Sequence, residues 1–349
     1  MEGDDLLDID GSYGEGGGQL LRTAVALAAV TGREVAVRNI RAKRDRPGLA
    51  PQHLAAVRAV ATLCRGRVEG LALRSKEVRF APGALSAGEY RFDVGTAGSI
   101  SLVLQALLPA LIAGGRAVAV TVTGGTDVRQ APPIDYLQNV LLPLLARMGV
   151  DARLEVIRRG YYPRGGGEAR IAVAPGRLRP LALDEPGAIV AIEGHAHVAN
   201  LPEHIATRMR DAALERLARV SGPSPRVEIE VLDAARAMGT GGGIVIWART
   251  QGTVLGAGCV AQRGVRAETL GAAVGDELAA DIAACATLDL HAADQLLVYL
   301  ALAKGGSYLV RSTTEHARTA MWLIEQFLPV RFDVAPKGEL VRVTVTPRF

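Results

Sequence analysis

Along the chain, long apolar runs with helical spacing alternate with shorter segments in which apolar and polar positions take turns. One apolar run, residues 20–30, opens directly after Gly16-Gly17-Gly18-Gln19 and stops at Thr31-Gly32. An alternating segment over 34–40 and a second apolar run over 51–64 follow. The spacing predicts helix, strand, helix. The same order returns with Gly95-Thr96-Ala97-Gly98, a helix over 99–112, Gly114-Gly115, a strand over 117–123 and a helix over 133–148. It returns again with a helix from Asp294 to 303, Gly305-Gly306, a strand over 307–312 and a helix over 316–327. Three units are therefore expected, each reading strand, helix, strand, helix, strand, strand. In each, two helices cover one face of a small sheet, and the units pack around one another.

The grammar breaks between residues 184 and 276. A strand over 188–193, a charged helix over 204–220 and strands over 226–232 and 243–249 predict a smaller α+β inserted domain. Pro175-Gly176 and Pro180 announce its boundary, and Gly239-Thr240-Gly241-Gly242-Gly243 reads as a hairpin or loop. The expected fold class is α/β (α+β). Residues 1–183 carry repeats one and two of a large domain, 184–276 the inserted domain, and 277–349 repeat three.

The composition narrows the classes further. At 349 residues and 49% apolar content, the chain suits two to three structural units and excludes wholesale disorder. Its apolar run over 102–113 is interrupted by Gln105 and Pro109, far short of a bilayer span. Met1-Glu2-Gly3-Asp4-Asp5 is acidic where a signal peptide is basic. Cys64, Cys259 and Cys285 are too few and too scattered for a disulfide framework or a zinc cluster. A soluble, cytoplasmic protein is expected. The net charge of +4 is mild, but the cations are thirty-six Arg against four Lys. GC-rich codon usage explains that bias, and so does a need for guanidinium forks that grip phosphate. Position has to decide.

Tyr13-Gly14-Glu15-Gly16-Gly17-Gly18-Gln19-Leu20-Leu21-Arg22 puts backbone amides and a carboxylate at a helix start. A helix N-terminus favours an anion, and Glu15 suits a hard cation such as Mg²⁺. Read blandly, it is a glycine-rich turn with an exposed Glu. Arg38, Arg41, Lys43, Arg44 and Arg46 form a basic loop before Gln52-His53, either a solvated face or a second anion site beside a helix start. No aromatic residues interleave it, so phosphate gripping is favoured over base stacking. The stretch from Arg159 through Glu168 reads as a structural, glycine-rich strand connection.

Histidine is scarce. His195, His197 and His204 have a spacing that mimics zinc ligands, but no neighbouring Asp, Glu or Cys completes the set, and no metal is expected there. His316 is different: it follows Ser312-Thr313-Thr314-Glu315 and opens the last helix. A helix start disfavours imidazolium and keeps the ring neutral, as a nucleophile requires. By the repeat alignment, His53 stands at the equivalent place in unit one. Lys43 is followed by Arg-Asp-Arg, not by the surroundings of a ligase lysine, so His316 is the better covalent carrier. In His291-Ala292-Ala293-Asp294-Gln295, Asp294 reads either as an N-cap or as a ligand contact. Gln105, set among Leu and Ala, is harder to explain as structural.

Taken together, Glu-Gly-Gly-Gly-Gln, Ile-Arg-Ala-Lys-Arg with its later Pro-Gly-Leu and Gln-His, Arg-Gly-x-x-Pro-x-Gly-Gly-Gly, His-x-Ala-Asp-Gln and the His316 helix closely resemble the RNA 3′-terminal phosphate cyclase family, in family order from about Ile9 to Pro329. One departure is Ala169, where that glycine signature usually ends in Leu, Ile or Val. The resemblance implies three repeats plus an inserted domain. It implies ATP, a divalent metal (Mg²⁺ or Mn²⁺) and an RNA with a 3′-phosphate end as partners, no membrane, and it leaves a homodimer open. It implies that His316 takes AMP from ATP, that AMP passes to the RNA 3′-phosphate, and that the 2′-hydroxyl closes a 2′,3′-cyclic phosphate. By motif position, Glu15 binds the metal. Arg22, Arg41, Arg44, Gln52 and His53 surround the phosphates and the RNA end. Gln105 and His291, Ala292, Ala293, Asp294 and Gln295 contact the adenylate. Two other readings stand beside it. Relatives in ribosomal RNA processing lack the nucleophilic histidine, and enolpyruvyl transferases share the repeated architecture without these motifs.

Overall fold

The computed structural model describes residues 6–348, so the acidic Met1–Asp5 stretch lies outside the described residues. Unit one contains β1 (Leu7–Asp10), α1 (Gly18–Thr31), β2 (Val35–Arg38), α2 (Pro51–Cys64), β3 (Arg67–Glu69) and β4 (Val78–Ala81). Unit two contains β5 (Gly88–Asp93), α3 (Ile100–Ala113) and β6 (Val118–Gly124). Its second helix is split into α4 (Ile134–Tyr136) and α5 (Leu142–Arg147) by a π turn over Leu137–Leu141, and β7 (Ala152–Gly160) and β8 (Gly167–Val173) close it.

A two-residue strand, β9 (Leu181–Ala182), precedes the insert. The insert is β10 (Ile189–Ala199), α6 (Glu203–Leu217), β11 (Arg226–Leu232), β12 (Ala237–Met238), β13 (Gly241–Thr250), β14 (Val254–Val260) and α7 (Ala267–Ala283). Unit three then completes itself with α8 (Leu290–Leu302), β15 (Gly306–Val310), α9 (Glu315–Phe327), β16 (Val330–Lys337) and β17 (Leu340–Pro347).

The three unit sheets share one pattern. Their orders are β1-β2-β4-β3, β5-β6-β8-β7 and β9-β15-β17-β16, the second extended by β12 next to β7. In each, the first pair is parallel and the next two pairs are antiparallel. The expected repeat is thus present, with one correction to its bounds. β9 pairs with β15, so unit three begins before the insert, which interrupts it between its first strand and first helix. A continuous core runs through all three units, including Leu21, Leu104, Leu141, Leu297 and Ile324. The insert has a core of its own around Ile192, Met209, Ile246 and Leu270.

Two further differences have clear causes. The segment from Gly239 to Gly243 is no free loop: Gly241, Gly242 and Gly243 open β13, because a β-carbon at Gly241 would fall 2.2 Å from the Tyr161 ring. Helix α7 was not foreseen and crosses the expected boundary at 276. Its glycines look like breakers, yet they let it lie against α6: a β-carbon at Gly271 would stand 1.9 Å from the Met209 carbonyl oxygen. Because that neighbour is backbone, Gly271→Val is expected to destabilise the protein by about 1–3 kcal/mol, measured by the denaturant unfolding midpoint. An unchanged midpoint would contradict the close helix pairing.

Candidate active site

The first helices of the three units, α1, α3 and α8, converge on one cleft with roughly 480 Å³ of open space. Its walls include Gln19, Arg22 and Thr23 from α1, Gln105 from α3, Asp294 and Gln295 from α8, and Ala320 from α9. Thr23, Gln105 and Gln295 are each the sixth residue of their helix, and Arg22 and Asp294 the fifth of theirs. The repeat therefore aims equivalent positions at a common centre. Gln105 Nε2 donates to Gln295 Oε1 across it at 2.7 Å.

Arg22 is the cation of this cleft. It is buried, and burial lowers its pKa to about 10. It makes no hydrogen bond or ion pair to another group among the described residues, and a buried charge without a partner is costly. A bound anion relieves that cost. The first-turn amides of α1 lie on the same helix and have no side-chain cap. They add partial positive charge where the helix begins.

The turn before α1 is docked onto α9. Tyr13 stacks on Trp322 with ring centres 3.9 Å apart. Gly14, at φ +57°, lies so close to Thr319 that a β-carbon would fall 2.0 Å from its hydroxyl oxygen. These contacts bring the Glu15 carboxylate to the start of α9, where His316 Nε2 lies 2.8 Å from Glu15 Oε2. Arg44 Nη2 meets the other oxygen at 3.2 Å, and Lys43 Nζ donates to the Gly14 carbonyl at 2.6 Å. The His316 side chain is 44% exposed and within reach of the glycine turn.

The cap of α9 ties His316 to the cleft. Thr314 Oγ1 accepts from the Ala317 amide at 2.9 Å and donates to Asp294 Oδ1 at 2.6 Å. Asp294 does not begin α8. That cap is Asp289, whose Oδ1 accepts from the His291 and Ala292 amides at 3.0 and 2.9 Å. Asp294 instead sits one turn in, facing Thr314. Burial pushes its carboxyl up to about 6, partly offset by the Thr314 bond and by the nearby His316.

The remaining expected residues divide. Ala292 and Ala293 face the core, and the exposed His291 turns toward Glu277, 3.7 Å away. Arg41 Nη1 donates to the Arg46 and Gly48 carbonyls at 2.8 Å each, which pins the basic loop. Gln52 Oε1 accepts from the Ser99 amide at 3.5 Å, joining two helix starts. His53 is buried, and its Nδ1 accepts from the Ala50 amide at 3.3 Å. Desolvation, helped by the positive Arg22 and Arg41, pushes its pKa down to about 3. A β-carbon at Gly18 would fall 1.9 Å from its Nε2, so His53 fixes the back of the turn. It is third in α2, whereas His316 is second in α9, so the repeat equivalence holds to within one residue. Sequence reasoning missed Thr314 and Asp289, because capping roles depend on where a helix begins.

A carboxylate beside an exposed imidazole, a buried unpaired guanidinium and uncapped helix amides give the cleft the charge and the donors that an anion requires. Residues 13–334 match the family described as RNA 3′-terminal phosphate cyclase. Proteins of that description from Nitrosospira multiformis, Methanopyrus kandleri and Pyrococcus furiosus are 54%, 45% and 43% identical to this chain. Those alignments cover 99%, 98% and 96% of this chain and 98%, 99% and 98% of the relatives. The chain belongs to the RNA 3′-terminal phosphate cyclase family. No described helix is long and apolar enough to cross a membrane.

The raised Asp294 carboxyl has a measurable consequence. It holds its proton to higher pH when folded than when unfolded, so native stability is lost as pH rises from about 4 through about 6. Asp294→Asn removes the charge that must be buried. The variant is expected to gain about 1–3 kcal/mol on the parent between pH 4 and pH 7, read from denaturant unfolding at each pH. A difference that stays constant over that range would contradict the burial of Asp294.

Proposed function

We propose that this protein converts an RNA 3′-terminal phosphate into a 2′,3′-cyclic phosphate at the expense of ATP, with His316 as the covalent carrier of AMP. The observation that carries the reading is the 2.8 Å contact between His316 Nε2 and Glu15 Oε2, on an open ring beside the glycine turn. A 3′-phosphate is a poor electrophile, because its charge repels the incoming oxygen and it lacks a good leaving group. Attaching AMP supplies the leaving group, and passing through the imidazole splits one difficult displacement into easier ones.

In the first step a His316 ring nitrogen attacks the α-phosphorus of ATP. The bond to the β-phosphate oxygen breaks and pyrophosphate departs. Glu15 Oε2, 2.8 Å from Nε2, is placed to take a proton from that nitrogen as the ring becomes the nucleophile. In the second step an oxygen of the RNA 3′-phosphate attacks the same phosphorus and the P–N bond breaks. In the third, the vicinal 2′-hydroxyl attacks the terminal phosphorus, and AMP leaves with the electrons of the P–O bond. Arg22 and the first-turn amides of α1 bind phosphate, and Arg44 screens the approach of the two anions. Gln105, Gln295 and Asp294 give the cleft the polar contacts an adenylate needs.

Glu15 is the residue here that could hold a divalent metal ion: one carboxylate together with substrate phosphates is a common Mg²⁺ donor set, and an ion at Glu15 would take the place of Arg44 or His316 at one of its oxygens. Bound there, the ion supplies charge neutralisation to the triphosphate.

Incubation with ATP labelled at the α-phosphate tests the reading. The wild type is expected to acquire an acid-labile, alkali-stable label, and His316→Ala none. Glu15→Ala is expected to slow self-labelling by about 100-fold or more. A His316→Ala protein that still takes up label refutes the assignment.

A further inference from the structure

His195 and His197 lie two residues apart on β10, so their side chains share one face of the strand. Nothing near them in sequence completes a ligand set, but the fold brings in Asp135 from α4 of unit two. Asp135 Oδ2 stands 3.9 Å from His195 Nδ1 and 3.8 Å from His197 Nδ1. One donor atom from each of the three lies within 4.8 Å of the others. These spacings are too long for hydrogen bonds and close to the separation of atoms sharing a metal ion. His197 is fully buried, and neither of its ring nitrogens has a hydrogen-bond partner; nor does Asp135 Oδ2. Buried polar atoms aimed at one point without partners call for something between them.

The surroundings strengthen the case. Each histidine directs its other nitrogen at a carboxylate: His195 Nε2 is 3.3 Å from Glu230 Oε2, and His197 Nε2 is 3.7 Å from Asp127 Oδ1. At His195 a carboxylate 3.3 Å away favours the proton on Nε2 and leaves Nδ1 as the acceptor, whereas the 3.7 Å gap at His197 makes no hydrogen bond and leaves both its ring nitrogens unpartnered. Arg159 fits the same assignment. It donates to Asp135 Oδ1 at 2.8 Å, leaving Oδ2 without a partner, and its Nη2 donates to His195 Nδ1 at 3.4 Å, a long contact that an ion at that nitrogen would replace. Asp127, Asp135 and Glu230 face Arg159, and Glu230 is also paired with Arg236, so three carboxylates meet two guanidinium groups.

We propose that Asp135 Oδ2, His195 Nδ1 and His197 Nδ1 bind a divalent transition metal ion of the zinc type, fixing the inserted domain to unit two. Two imidazoles and a carboxylate suit zinc better than the oxygen-seeking Mg²⁺. The site shares no residue with the Glu15–His316 pair or with the cleft, so its role is structural. His195 is 21% exposed and marks the entry side, where a solvent molecule takes the fourth position.

Full-length protein stripped with a chelator is titrated with Zn²⁺ against a chromophoric competitor, and separately with Co²⁺ followed by visible absorption. The wild type is expected to bind one equivalent of each, with a cobalt spectrum free of thiolate charge transfer and a thermal midpoint raised by Zn²⁺. Glu15→Ala is expected to bind the same equivalent, which separates this site from the catalytic one. Glu230→Gln is expected to bind about 10–100-fold more weakly. His197→Ala and the partly exposed His195→Gln are expected to lose the cobalt spectrum and the thermal shift. A wild type that takes up no equivalent overturns the proposal, as does a site unaffected by His195→Gln. The second variant keeps the test decisive if His197→Ala does not fold.

Discussion

The site depends on how closely the glycine turn before α1 is pressed between two helices. On one side Gly14 sits on Thr319 of α9, and on the other Gly18 sits on the buried ring of His53 in α2. No side chain with a β-carbon fits at either point without moving a packed neighbour. Tyr13 on Trp322 closes the same contact from outside. With both flanks fixed, Glu15 has little choice of direction, and its carboxylate meets His316 and Arg44. The glycines here act mainly by absence of volume. That absence brings a residue from the start of the chain to one near its end.

The three units make a cleft that none has alone. Each contributes the same turn of its first helix, so Thr23, Gln105 and Gln295 point to a common centre. The symmetry then breaks where chemistry requires it. At the preceding position one unit supplies Arg22 and another Asp294, a cation and a carboxyl group in one pocket. Of the two helix-start histidines, one is buried and held neutral behind Gly18, while the other stands open beside a carboxylate. One repeated scaffold thus gives a buried histidine and an open one, and the depth of each helix start decides which is which.

Much of the fold was legible because its signals are local. Apolar runs such as 20–30 and 102–112 are long enough to mark helices, and the repeated glycine stops mark where they end. The elements missed are those whose identity depends on distant partners. β9 has two residues and exists because β15 pairs with it. α7 contains Gly271 and Gly275, which read as breakers until α6 is known to lie against them. The glycines of β13 read as loop for the same reason, since Tyr161 and His197 occupy the space their side chains would fill. At the site, Glu15 and His316 stood out from the helix starts beside them, while Arg22 entered through the family resemblance. The Thr314–Asp294 link was hidden by a helix start placed four residues too late, at Asp294 instead of Leu290.

The inserted domain is joined to the large domain through polar contacts as well as chain connectivity. β12 leaves the insert to pair with β7, the strand that carries Arg159. Arg159 in turn reaches Asp127 and Asp135 in unit two and faces His195 of the insert. A buried cluster of this kind fixes orientation more stringently than apolar packing, because each misplaced charge or donor costs far more than a misplaced methyl group. Asp289 serves a parallel purpose at the next crossing: one carboxylate caps α8, accepts from the Tyr136 hydroxyl and accepts from the Gly256 amide of the insert. Unit two and the insert therefore meet at two buried carboxylate sites, and unit three joins them at Asp289. The start of α8, which sets Asp294 and Gln295 in the cleft, is held by one of them, so the insert bears on a helix that lines the cleft without contributing a residue to the cleft wall.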